Sequence, residues 1–157
     1  MKRLVLIIIS IILLIIDNSL APFLAIKGAY PSLVFVFSIG YSIINGKYEG
    51  ALIGSATGLL QDIFFGNVFG VNALLNMFCC FLAGVVGEGI WREKKLIPTI
   101  TIFFGTILKF LGVYIIFFFL KIDMEFLRGI YVALYNSVIM FLTYGLIIKL
   151  SQIEFEK

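Results

Sequence analysis

The chain alternates between long apolar stretches and short polar clusters. Six stretches stand out, at about 4–24, 31–46, 50–66, 70–88, 97–119 and 128–149. A helix of roughly 20 apolar residues crosses the hydrocarbon layer, which is about 30 Å thick. None of the stretches shows the strict polar–apolar alternation of a membrane β-strand. Helices also satisfy their own backbone groups where water is absent. The pattern therefore predicts an all-α integral membrane protein, with about six transmembrane helices forming a single polytopic domain over residues 1–157.

The first stretch has two readings. Lys2 and Arg3 before the apolar run 4–16 resemble the start of a signal peptide, and Ser19-Leu20-Ala21 offers small residues near a cleavage-like position. Pro22 follows at once, which is a poor context for cleavage. The retained-helix reading runs the segment to about Leu24, with Asp17, Asn18 and Ser19 near its outer end and Pro22 kinking or ending it.

Composition narrows the class. Hydrophobic residues make up 62% of the 157 positions and charged residues 13%. Mean hydropathy is +1.14. A soluble domain of this size cannot bury so much apolar surface. That excludes a soluble globular enzyme, a disordered chain and a disulfide scaffold. Cys79 and Cys80 are adjacent within an apolar run, and read as packing residues. The absence of histidine removes Ser-His-Asp and Cys-His nucleophile systems and most zinc sites.

Charge then sets an orientation. With the N-terminus inside, Lys2, Arg3, Lys47, Arg92, Lys94, Lys95, Lys149 and Lys157 are cytoplasmic, whereas Lys27, Lys121 and Arg128 are outside. This asymmetry favours both termini in the cytoplasm. The net charge of +3 is too small to argue for nucleic acid. The stretch Trp91, Arg92, Glu93, Lys94, Lys95 reads as a topology anchor. Its alternative is a contact for a cytoplasmic partner or anionic lipid. Glu88 and Glu93 read as local surface pairs, and the outer Lys121, Asp123, Glu125 and Arg128 as solvated. Asp17 reads as a solvated helix-end residue, and the phenylalanines 117–119 as lipid-facing bulk.

The most informative region is 50–74. Gly50, Gly54 and Gly58 recur at every fourth position, Asp62 takes the next place, and Gly66 and Gly70 continue the spacing. Such a stripe winds slowly round the helix and admits close crossing by its neighbours. These five glycines are therefore candidate packing positions, on a helix at the centre of the bundle.

Asp62 is the sharper feature, because a charge at membrane depth costs roughly 2.5–3.5 kcal/mol even on the gentler scale. It lies about 18 Å from the cytoplasmic end of its span, and Lys109 about the same distance along the fifth span. Asn76 and Asn136 enter from the outer side and reach about 9–12 Å deep. The four residues fall in one band and form a candidate polar layer. An Asp62–Lys109 ion pair fixing helix packing is one reading. A proton or ion relay or ligand pocket is another. In a third, Lys109 snorkels elsewhere and Asp62 is protonated.

This arrangement resembles the rod shape-determining protein MreD family in length, span count and short loops. The specific likeness lies in Gly50-Ala51-Leu52-Ile53-Gly54, then Gly58-Leu59-Leu60-Gln61-Asp62, Gly66, and Gly70-Val71-Asn72-Ala73-Leu74. The family shows a glycine-rich helix ending in Gly-Leu-x-x-Asp, followed by a glycine loop and a helix start. Pro31-Ser32-Leu33 falls where many members have a proline, often followed by an acid that Ser32 replaces here. No role of that acid carries over.

The resemblance implies a non-enzymatic bacterial inner-membrane component without cofactors. It implies binding to an MreC-like bitopic protein, and a part in organising peptidoglycan synthesis by a SEDS-type glycosyltransferase and its transpeptidase. The MreB-like filament is then an indirect partner. A fainter likeness is to the six-helix substrate-binding subunits (S components) of energy-coupling-factor vitamin transporters. It supports an alternative function as a small-molecule-binding transporter subunit.

Overall fold

The computed structural model describes residues 2–20, 23, 25, 28–65, 68–89, 95–123 and 125–153. Among them are six helices: α1 (Lys2–Ser19), α2 (Leu33–Asn45), α3 (Lys47–Phe65), α4 (Val71–Gly89), α5 (Leu96–Phe119) and α6 (Phe126–Ile153). Three segments, Val71–Gly89, Leu96–Phe119 and Leu127–Ser151, are long and apolar enough to cross a membrane. Leu4–Ser19 and Leu33–Asn45 are shorter apolar helices. The first stretch was expected to run to about 24, but α1 ends at Ser19. Pro22 and Leu24 lie outside the described residues.

α2 is the centre of the bundle. Every residue from Val34 to Ile43 is buried. A helix that is apolar all round is stable only when enclosed, and α2 packs against all five other helices. The core joins Phe35, Ile39 and Ile43 of α2 with Cys80 of α4, Ile102 of α5, and Met140 and Tyr144 of α6. α5 is the opposite case, with only Pro98, Ile102 and Thr106 buried. The rest of its surface is part-buried or exposed, with Phe104 and Phe118 among the exposed side chains.

Glycines set the closest crossings. A Cβ on Gly50 would lie 2.8 Å from the Cys80 carbonyl oxygen, and one on Gly54 would lie 2.5 Å from that of Asn76. One on Gly58 would collide with the backbone of Asn72 and Ala73. The α3 stripe therefore lies directly on α4. α4 presents glycines in return, since Gly84 meets the backbone of Lys47 and Gly87 that of Ile43. The sequence reading named neither.

Gly70 differs from that reading. It has open space around it and a φ of +92°, so it turns the chain into α4. Gly66 lies outside the described residues. A single residue, Gly46, links α2 to α3 at φ +91°, a conformation that suits glycine.

α2 is short. Its 13 residues rise about 20 Å, against a hydrocarbon layer of about 30 Å. With its C-terminus at the Gly46 end of the bundle, its first turn stops well below the end that carries the α5–α6 connection. That places a helix start, and its bare N–H groups, inside the protein.

Candidate functional site

Three carboxylates hold three helix starts. The first four N–H groups of a helix have no partner within it, and they carry partial positive charge. In a water-poor interior each unsatisfied one costs several kcal/mol. Asp62, 4% exposed, meets that need for α4. It accepts hydrogen bonds from the backbone N–H of Gly70 (3.0 Å), Asn72 (3.1 Å) and Ala73 (2.9 Å), and from the Asn72 side-chain amide (3.0 Å).

Asp17 does the same for α2. It accepts from the N–H of Leu33 at 2.7 Å and of Val34 at 3.1 Å, with the Ser32 hydroxyl at 3.4 Å. Glu88, near the end of α4, accepts from the N–H of Lys47 at 3.2 Å and pairs with the Lys47 ammonium at 3.1 Å. Hydrogen bonding to Glu88, then its charge, raises the Lys47 pKa above its ordinary value.

The ion pair expected between Asp62 and Lys109 is not formed, since no carboxylate lies within 4 Å of the Lys109 ammonium among the described residues. The physical reason is the α4 N-terminus, which offers Asp62 four donors at once. Lys109 turns instead to Gln61. Its ammonium donates to Gln61 Oε1 at 3.3 Å and sits 4.7 Å from the centre of the Phe35 ring.

Gln61 is the hub that joins the polar band. Its Oε1 also accepts from the Asn76 amide at 2.9 Å, and its own amide donates to the Ser32 hydroxyl at 3.1 Å. Ser32 in turn donates its backbone N–H to Asn136 Oδ1 at 3.0 Å, and the Asn136 amide donates to Thr106 Oγ1 at 3.1 Å. Asn76, Asn136 and Thr106 are fully buried. Asn76, Lys109 and Asn136 therefore share one network through Gln61 and Ser32, while Asp62 sits beside it on the α4 turn.

Thr106 is not among the residues singled out from the sequence, and Gln61 and Ser32 are quoted there only for the family likeness and not as members of the polar layer. Gln61 stands one position from Asp62 and so at nearly the same depth. Thr106 stands three before Lys109, on the same helix face. Those spacings were the available signal. Asp17 was expected to be solvated, and is partly buried on the start of α2 instead.

Above this band, at the α5–α6 end, a cleft of about 380 Å³ opens. Ser32, Gln61 and Lys109 border it on the inner side and Arg128 near its mouth, with Asp17 at the side. Apolar side chains, among them Phe110 and Val113, line part of the rest, together with polar Asn18, Tyr30 and Asn72.

At the opposite end, Lys95 is exposed and its ammonium lies 5.7 Å from the centre of the Phe141 ring. Trp91, Arg92 and Lys94, expected as a cytoplasmic contact, lie outside the described residues. Cys79 and Cys80 are free thiols buried in the core.

The family model described as rod shape-determining protein MreD matches residues 1–153. This chain belongs to the MreD family. No curated protein and no solved structure matches it. MreD membership assigns the chain to the membrane and to the determination of rod shape, as part of a shape-determining complex. For an MreD protein the polar band is informative. Its carboxylates are engaged in starting helices, and its amides join α2, α3, α4, α5 and α6 to one another.

Proposed function

We propose that this MreD-family chain is a non-enzymatic scaffold of the bacterial elongation machinery. In this reading all six helices lie in the inner membrane, and both termini face the cytoplasm. The chain binds an MreC-like bitopic protein and helps organise a SEDS-type glycosyltransferase and its transpeptidase, with an MreB-like filament as indirect partner. The basic stretch around Trp91, Arg92, Lys94 and Lys95 is the proposed cytoplasmic contact. The family match over residues 1–153 carries the reading. The inward-turned polar groups support it, because they tie helices together and leave broad apolar faces on α5 and α6 outward.

Affinity purification of the tagged chain in mild detergent tests the proposal. Recovery of a bitopic partner together with cell-wall synthases is the expected result. A second reading, a vitamin-type transporter subunit of the S-component kind, draws on the cleft beside Lys109. Recovery of an ATPase module with a bound vitamin favours that reading and overturns the scaffold.

A further inference from the structure

The helix packing leaves the cleft at the α5–α6 end open. It exists because α2 starts low. Ser32, Gln61 and Lys109 all stand about 20 Å from the Gly46 end, counted along α2, α3 and α5. They make a floor where the neighbouring helices continue upward. Lys109 brings a positive charge to that floor. Among the described residues its ammonium has one hydrogen bond, to Gln61, and no carboxylate within 4 Å. An ammonium carries three donors, so it retains donors for a further partner.

The nearby carboxylates are already engaged. Asp62 faces the start of α4, and Asp17, although it borders the cleft, faces the N–H groups of Leu33 and Val34. Arg128 brings a second cation near the mouth. Its side chain is 48% exposed, and its contact with Glu125 is a loose 4.0 Å. A guanidinium fork fits phosphate oxygens. The lining also holds apolar side chains, Leu14, Phe110, Val113 and Val132, beside polar Asn18, Tyr30 and Asn72.

Two cations bordering one cleft, with apolar side chains in the same lining, suit an anion with an apolar body, and the surrounding membrane is rich in such molecules. We propose that the cleft binds an anionic phospholipid, with its phosphate held by Arg128 and Lys109 and its apolar part against Phe110 and Val113. The bound lipid brings a negative charge into contact with Lys109, which has no carboxylate within 4 Å among the described residues.

The test uses the purified full-length chain in non-ionic detergent, with binding read as a shift in the thermal unfolding midpoint. Dihexanoyl phosphatidylglycerol, dihexanoyl phosphatidylcholine and inorganic phosphate are titrated separately. Phosphatidylglycerol is expected to give a saturable upward shift, at an apparent affinity at least tenfold tighter than either of the other two. Arg128→Gln and Lys109→Gln are each expected to weaken it at least tenfold. If Lys109→Gln does not fold, Arg128→Gln near the mouth decides. An equal response to phosphatidylcholine, or to inorganic phosphate as a free-anion site, overturns the proposal. So does an unchanged response in the variants, or no response at all.

Discussion

Asp62 and Glu88 hold opposite ends of the same helix pair. Asp62, near the end of α3, accepts from the first N–H groups of α4, and Glu88, near the end of α4, accepts from the first N–H of α3. The two helices run antiparallel with Gly50, Gly54 and Gly58 between them, so each C-terminal turn reaches its neighbour's N-terminal turn. Close backbone approach and reciprocal capping support one another. The glycines bring the ends into range, and the carboxylates fix the register.

Asp17 performs the corresponding task for α2. Replacing it by alanine leaves the N–H groups of Leu33 and Val34 without their acceptor inside the bundle. Losing a capping side chain costs about 0.5–2 kcal/mol, and a donor left buried and unmet adds about 1–3 kcal/mol. Asp17→Ala is expected to cost about 2–4 kcal/mol in total. In detergent this reads as a lower unfolding midpoint, with α2 amides exchanging faster than those of α6. An unchanged midpoint returns Asp17 to the solvated role that its place in the sequence suggested.

The glycines separate into two kinds. Gly58→Ala places a methyl group on the α4 backbone and is expected to cost about 1–3 kcal/mol by overpacking. Gly87→Ala, which meets the backbone of Ile43, is expected to behave alike. Gly145 sits in α6 with open space around it, so Gly145→Ala is expected to stabilise by about 0.5–1 kcal/mol. Parallel thermal melts of the three variants check the sign of each change. Equal effects at Gly58 and Gly145 would sink the close-crossing account.

The end of α5 predicts a gain. Ile122 N–H bonds to Phe117 O at 2.9 Å and Lys121 N–H to Phe118 O at 3.2 Å, the paired bonds of a Schellman turn. Its left-handed position is held by Lys121 at φ +56°, where glycine is the usual occupant. Lys121→Gly removes the Cβ strain and adds some freedom to the unfolded chain, for a net gain of about 0.5–1 kcal/mol. A raised midpoint with unchanged helical content by circular dichroism is the expected result.

The apolar runs made six helical segments legible, because a long and uniformly apolar run without alternation satisfies its backbone as a helix. The four-residue glycine spacing placed Gly50, Gly54 and Gly58 on one face. Height was also readable, since counting residues along antiparallel helices puts Asn76 and Lys109 near one level. What counting does not give is rotation about the helix axis. Asp62 and Lys109 share a height, yet one faces the α4 turn and the other faces Gln61. Asp17 reads from the sequence as solvated and Glu88 as a local surface pair, because acids near span ends usually reach water or a neighbouring cation. Here a short α2 and a one-residue link at Gly46 bring helix starts to them instead. Gly84 and Gly87 are only three residues apart and form no longer glycine series, although Ala83 and Gly87 do keep the four-residue spacing of small residues.

The central claim is that Asp62 acts as the anchor of the α4 N-terminus and not as the counter-ion of Lys109. Thermal unfolding of three variants in detergent tests it most directly. Asp62→Ala is expected to lose about 2–4 kcal/mol, or roughly 4–16 °C. Lys109→Gln removes a costly intramembrane charge and one hydrogen bond, and is expected to melt close to the unmodified chain or above it. Exchanging the two, Asp62→Lys with Lys109→Asp, is expected to be at least as unstable as Asp62→Ala. Equal losses in the two single variants, restored by the exchange, would establish the ion pair and contradict the account.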